Sequence, residues 1–331
     1  MRAADADMAE APGRDDFARA VIGGLEAERR HIPCRFLYDA RGSELFEEIT
    51  RLDAYYPTRV EAGLLREHGG EIAERAGAGC AVVEFGSGSS RKTHVLLEHM
   101  EAPAAYVPID IDASALKQAA GRLRATFPDL PLYPLEADFS APVALPEALA
   151  GAPRLGFFPG STIGNFEHEA AITFLADAGR LLGEGSALIV GADLRKDPAV
   201  LERVYDDPQG VTAAFTLNLL QRINRELEGS FDLAGFAHRA LYNEAAGRIE
   251  IYLESLRDQS ASVCGRRFSF RAGERIHVEN SHKYTLPQFR TLAEAAGWRS
   301  EAVWTDAQDY FSLHYLARPA ALRGVHERRD Q

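Results

Sequence analysis

The hydrophobic pattern of the chain changes character twice. Near the start, Phe17, Val21, Ile22 and Leu25 recur at helical spacing. After a loop at Ile32-Pro33, residues 43–52 predict a second helix, with Ser43 as its cap and Glu44 and Glu47 in its first turn. Tyr55-Tyr56-Pro57-Thr58 interrupts it, and Thr58 predicts the start of a third helix through Leu64 and Leu65. From Cys80 the texture becomes short apolar runs separated by amphipathic stretches. CAVVEF, AAYVPID, residues 132–137, RLGFFPG and SALIVGAD read as five strands. Helical spacing lies between them at 93–100, 116–123 and 172–182. Strands that are apolar without alternation, separated by helices, predict a parallel, doubly wound α/β sheet covered on both faces.

After Asp193 the alternation stops. Residues 196–238 read as helical, with breaks at Asp207-Pro208 and near Gly229. GRIEIYLESL and RRFSFRAGERIHVE then alternate with period two, the mark of antiparallel strands with one wet face. A helix over 286–296 and two closing strands, SEAVWTD and YFSLHYLA, complete the pattern. The block at about 195–285 thus reads as an insertion into an α/β domain.

Composition narrows the field. The 331 residues suit one large domain or two. A net charge of -12 argues against nucleic acid or anionic membrane as main partners. No apolar run reaches the roughly 18 residues of a membrane span, and the N-terminus has no apolar signal core, so a cytoplasmic location is expected. Cys34, Cys80 and Cys264 are too dispersed for a disulfide framework or a metal knuckle, and are expected to be reduced thiols.

The candidate chemistry sits at strand ends. Gly86 and Gly88, directly after the first strand, allow a sharp turn and a close ligand approach. Arg91 stands where the dinucleotide fingerprint has its third glycine, which weakens a nicotinamide reading. Asp110 ends the second strand, 24 residues after Gly86, where a carboxylate can accept from ribose hydroxyls. Asp138-Phe139 follows the third, where an acid and a ring can meet an adenine. Three such features at three successive strand ends point to a nucleoside-bearing cofactor.

FLYDARGSELFEEITRLDAYYPTRVEAGLL, VVEFGSGSSRKT, PIDID, ADF, GSTIGNF, YDDPQGVTAAF, NLLQRINREL and ENSHKY occur in this order. Together they resemble the histidine-specific S-adenosylmethionine-dependent methyltransferases of ergothioneine biosynthesis, over residues 16–317. The resemblance implies a Rossmann-like class I methyltransferase domain (62–194 and 288–320) and an inserted α+β substrate-binding domain (14–61 and 195–287), after a disordered stretch at 1–13. It implies trimethylation of the L-histidine α-amino group to hercynine, with S-adenosylmethionine as methyl donor. Gly86 and Lys92 would hold the methionine part of the donor, Asp110 the ribose, and Asp138 with Phe139 the adenine. Tyr56, Asn165, Tyr205, Glu279 and Ser281 would bind histidine. Where histidine-using members commonly carry methionine, this chain has Ile251, which keeps an apolar wall of different shape.

These residue types suit the reaction. Methyl transfer from a sulfonium needs nitrogen, methyl carbon and sulfur held in line. It needs neither a covalent nucleophile nor a metal, and a monomer without metal is expected. The Asn165 amide oxygen can orient the amine, with Tyr56 and Tyr38 as further catalytic candidates. Glu279 and Ser281 alternate on a strand and can hold both imidazole nitrogens. Competing readings are methylation of another aromatic amino acid such as tryptophan, a non-catalytic cofactor-binding protein, and a nicotinamide oxidoreductase.

Overall fold

A computed structural model describes residues 13–88, 90–139 and 143–319. Of the stretch expected to be disordered, all but Gly13 lies outside these residues. The N-terminal part forms α1 (Arg14–Glu26), α2 (Ala40–Ile49) and α3 (Tyr56–Ala76). β1 (Ala81–Phe85), α4 (Arg91–Leu97), β2 (Ala105–Asp110), α5 (Ala113–Thr126), β3 (Leu135–Glu136), β4 (Arg154–Phe158), α6 (His168–Leu182) and β5 (Ala187–Asp193) follow in alternation. Next come α7 (Pro198–Tyr205), α8 (Val211–Glu226), β6 (Phe236–Asn243), β7 (Arg248–Ser255), β8 (Gln259–Val263), β9 (Arg266–Phe270) and β10 (Arg275–His282). The chain closes with α9 (Leu286–Ala295), β11 (Arg299–Thr305) and β12 (Phe311–Ala317).

Seven strands form one sheet in the order β11-β12-β5-β4-β1-β2-β3. β1 to β5 pair in parallel, while β12 joins β5, and β11 joins β12, antiparallel. Successive residues of each central strand feed opposite cores. Ala81, Val83 and Phe85 join one cluster with Phe158, Leu188 and Phe174; Val82 joins the other with Phe157, Ile189 and Leu65. Burial on both faces explains the runs without alternation. A third core gathers Phe17, Phe36, Leu45 and Tyr56 with Leu219, Ile249 and Val278. Over it lies a separate sheet in the order β10-β7-β6, and β8 and β9 form a small hairpin. Among the described residues no helix is long and apolar enough to cross a membrane.

Local chemistry moves several expected boundaries. α2 starts at Ala40, because Asp39 rather than Ser43 caps it, accepting from the Gly42 N–H at 2.7 Å. Asp39 also accepts from Asn218 and Arg225, which ties α2 to α8. α3 starts at Tyr56 with Pro57 in its first turn, leaving Thr58 inside it. The third strand shrinks to Leu135–Glu136 plus a bridge at Leu132, since Pro108 of β2 has no N–H to donate between them. Residues 236–238, expected to be helical, begin β6, whose pairing with β7 along eight residues overrides the local pattern. β8 was not anticipated, being too polar to stand out.

Candidate functional site

The turn after β1 takes the shape its glycines allow. Gly86 has φ +71° and Gly88 φ +45°, a region that side chains with a Cβ seldom enter. A Cβ on Gly86 would stand 3.3 Å from the Phe139 ring. The Gly86 N–H donates to the Ile109 carbonyl at 2.9 Å, tying the turn to β2. At the end of β2, Asp110 Oδ2 accepts from the Gly88 N–H at 2.7 Å and Oδ1 from the Asp112 N–H at 3.1 Å. Burial raises this carboxyl above its ordinary range, and the two amides oppose the rise. Each oxygen keeps capacity for a second donor.

Asp138 and Phe139 follow β3, and the Phe139 ring packs edge-on against Phe158, centroids 5.7 Å apart. Among the described residues the Ser87 hydroxyl oxygen, buried in the turn, has no hydrogen-bond partner. A cradle only glycine fits, an orphaned hydroxyl and a fixed carboxylate at adjacent strand ends suit an adenosine-bearing cofactor. Lys92, in the first turn of α4, has its Nζ 2.5 Å from Glu61 Oε2. Glu61 comes from α3, is fully buried and accepts from the Gly160 N–H through both oxygens.

A pocket opens between α2, α8, β10 and the loop after β4. Tyr38, Asn165, Tyr205, Glu279 and Ser281 all line it, with Phe46, Tyr55, Phe215 and Ile251 completing much of its apolar wall. Of the acceptor-site residues expected from the sequence, Tyr56 alone does not line it. The Tyr56 phenol donates to Asp193 Oδ1 at 2.6 Å, in the buried network beside the pocket.

The GSTIGN loop is built for this place. Ser161, at φ +58°, accepts from the Asp193 N–H through its hydroxyl at 2.9 Å. Gly164 approaches β10 so closely that a Cβ would lie 2.8 Å from the His282 carbonyl oxygen. These contacts deliver Asn165 to the pocket. In YDDPQG, Asp207 accepts from the Val211 and Thr212 N–H groups, the first two of α8, whose N-cap is Gly210.

Glu279 and Ser281 reach the pocket through a β-bulge. β10 pairs with β7 as Ile276↔Leu253 and His277↔Tyr252, then skips Val278 and resumes as Glu279↔Ile251 and Ser281↔Ile249. The extra residue breaks strict alternation. Glu279 and Ser281 thereby share the buried face with Ile276, while Arg275, His277 and Asn280 stay on the wetter one. Burial pushes the Glu279 carboxyl up to about 7, against the opposing pull of Lys283 and the Asn165 side chain. Burial, then Glu279, holds the Tyr38 phenol far above its ordinary value, so it stays protonated.

Beside the pocket lies a charged network that the sequence reading missed. Lys283 is buried, its Nζ 2.8 Å from Asp193 Oδ2. Lys196 Nζ meets Asp193 Oδ1 at 2.6 Å. Burial works to raise Asp193, but Lys283 and Lys196 outweigh it and hold the carboxyl below its usual range. Burial brings Lys196 down to about 8. Asp193 carried the same signal as Asp110, an acid closing an apolar strand. Lys283 and Glu61 carried none, because a lone charged residue beside polar neighbours reads as solvated.

The sheet order with its reversed last strand, the glycine turn and the Asp110 carboxylate define a class I S-adenosylmethionine-dependent methyltransferase. The acceptor side narrows this further. A family model described as histidine-specific, S-adenosylmethionine-dependent methyltransferase matches residues 17–318, and the chain belongs to that family. It is 39% identical over 309 residues to a histidine N-alpha-methyltransferase of Mycolicibacterium smegmatis, covering 91% of this chain and 94% of that protein. It is 38% identical over 316 residues to a protein of the same name from Mycobacterium tuberculosis, covering 94% and 98%. It is 31% identical over 304 residues to ergothioneine biosynthesis protein 1 of Neurospora crassa, covering 87% of this chain and 33% of that longer protein.

Proposed function

We propose that the protein methylates the α-amino group of L-histidine three times, giving hercynine, and so opens ergothioneine biosynthesis. The observation that carries this is the pocket, where Asn165, Tyr205, Glu279 and Ser281 converge from three separate segments beside the strand ends that suit the methyl donor. S-adenosylmethionine, when bound, supplies an electrophilic methyl group. Gly86, Asp110, Asp138 and Phe139 are the residues assigned to hold it. Lys92 is assigned to its carboxylate, in exchange for Glu61.

On the acceptor side the protein's task is orientation. The Asn165 amide oxygen accepts from the incoming amine and directs its lone pair. Tyr38, kept protonated, acts as wall and donor. Glu279 accepts an imidazole N–H and Ser281 faces the other ring nitrogen. Tyr56 acts through Asp193, which it helps to fix. We assign 14–61 and 195–287 to the substrate-binding part, a division supported by the core that joins Phe17 and Leu45 to Leu219 and Ile249. We further read the enzyme as a metal-independent cytoplasmic monomer. Its three free cysteines suit a reducing compartment.

The test is to incubate the protein with labelled S-adenosylmethionine and each amino acid. Label is expected on histidine, and preferential transfer to tryptophan overturns the assignment. Calorimetry on Glu279→Ala is expected to show a larger loss for histidine than for S-adenosylhomocysteine.

A further inference from the structure

We infer that Glu61 is a positioning residue shared by the two ligand sites: it competes with the methyl donor's carboxylate for Lys92 and, once relieved of that lysine, grips the acceptor loop by the Gly160 N–H, so that the two ligands tighten one another. The inference rests on the methyl donor's carboxylate meeting Lys92 and on histidine being the acceptor. Glu61 projects from α3 and is fully buried. Its Oε2 lies 2.5 Å from Lys92 Nζ, on the side assigned to the methyl donor. Both of its oxygens accept from the Gly160 N–H, at 3.0 and 2.9 Å. Gly160 opens the loop whose Ser161, Thr162 and Asn165 line the acceptor pocket with it. One carboxylate thus touches the lysine of one site and the loop of the other.

The fold leaves room for this carboxylate. A Cβ on Gly191 of β5 would collide with Glu61 Oε1, and one on Gly160 would stand 3.2 Å from Lys92 Nζ. Two glycines therefore flank a buried ion pair. Such a pair is a weak source of stability, because desolvation offsets much of the attraction. Its position between the two ligand sites is what distinguishes it.

The exchange has a direction. Among the described residues Lys92 has Glu61 as its ion-pair partner, and its side chain is 17% exposed. An ammonium carries three N–H donors, so it can turn to a carboxylate arriving from the open side. Two carboxylates on one ammonium repel each other, which loosens Glu61 from Lys92. The Gly160 N–H is then the hydrogen-bond donor left to Glu61 among the described residues. An amide bond to an ionised carboxylate is a strong one, and it strengthens as the competing cation withdraws. The loop that carries Asn165 is held more firmly, so less of the acceptor's binding energy is spent on ordering it. Linkage makes the effect mutual, since histidine must raise the affinity for the methyl donor by the same factor.

The test is calorimetric titration of histidine into the full chain alone, with saturating S-adenosylhomocysteine, and with saturating decarboxylated S-adenosylhomocysteine, which keeps the nucleoside, sulfur and amine. S-adenosylhomocysteine is expected to tighten histidine about tenfold, and the decarboxylated analogue by no more than about threefold. Equal tightening by both, or by neither, overturns the inference and leaves the acceptor in place. Failure of histidine to bind under every condition overturns the acceptor assignment as well. Glu61→Gln keeps an oxygen for the Gly160 N–H and removes the rival for Lys92. This variant is expected to bind S-adenosylhomocysteine alone about threefold to tenfold more tightly and to lose most of the coupling to histidine. A merely structural role would weaken both ligands, and that result contradicts the inference. Should the variant fail to fold, the comparison of the two nucleosides on the unaltered chain decides.

Discussion

Glu279→Gln should make the ligand-free protein more stable at alkaline pH while weakening its hold on histidine. The Glu279 carboxyl is raised from 4.5 to about 7 by burial, so the folded state binds more protons than the unfolded one between those values. Its ionisation therefore costs nothing below pH 4.5, and the full cost is reached above about 7. A gap of roughly 2.5 units corresponds to about 3 kcal/mol. Glutamine keeps the shape and removes the charge, yet still buries a polar amide, which leaves a net gain of about 2 kcal/mol. For a chain of this size that is a rise in Tm of roughly 3 °C at pH 8.5 and close to none at pH 5. The assay is thermal denaturation of the free protein at both values, paired with calorimetric titration of histidine in the presence of S-adenosylhomocysteine. A neutral acceptor in place of a charged one should weaken histidine about tenfold. Equal Tm shifts at the two pH values, or a loss of stability at pH 8.5, would refute the reasoning.

Other expectations follow from the same geometry. Asp110→Ala should weaken S-adenosylhomocysteine by about 10- to 100-fold, through lost charged hydrogen bonds, and spare histidine by comparison; calorimetry with each ligand decides this. Gly191→Ala should destabilise the fold by about 1–3 kcal/mol, measured by urea denaturation, because a Cβ there would lie 2.1 Å from Glu61 Oε1 and 3.0 Å from the Phe311 ring. Tyr56→Phe removes the donor to Asp193 and should cost about 1–2 kcal/mol of stability. Its histidine KM should rise less than that of Glu279→Ala, and the reverse ranking would place Tyr56 in direct contact with the substrate.

The seven-stranded sheet was legible because its signals are local. Apolar runs such as AVVEF and ALIVGAD have no other reading once helices separate them, and the carboxylates that close strands mark the ligand edge. On the acceptor side, GSTIGN and ENSHKY offered candidate residues, whereas the geometry that brings them together was not legible. Alternation alone puts Glu279 and Ser281 on one face, but it puts Arg275 and His277 there too. The skipped Val278 separates them, and nothing in the local residue types announces it. Glu61 and Lys283 were opaque for a different reason. Each is a charged residue whose partners lie on other elements, Lys92 and Gly160 for one and Asp193 and Tyr205 for the other. Buried ion pairs of this kind are a property of the assembled fold.

The two sheets share no strand, and this has a consequence for how such a protein changes over evolutionary time. Glu279, Ser281 and Ile251 sit on the three-stranded sheet, whereas Gly86 and Asp110 belong to the seven-stranded one. Substitutions on β7 and β10 can therefore redraw which small molecule is accepted without disturbing the apparatus that would hold the methyl donor. A protein built on this plan can move towards new acceptors through a handful of side chains on one strand pair, while the other sheet keeps the residues assigned to the methyl donor.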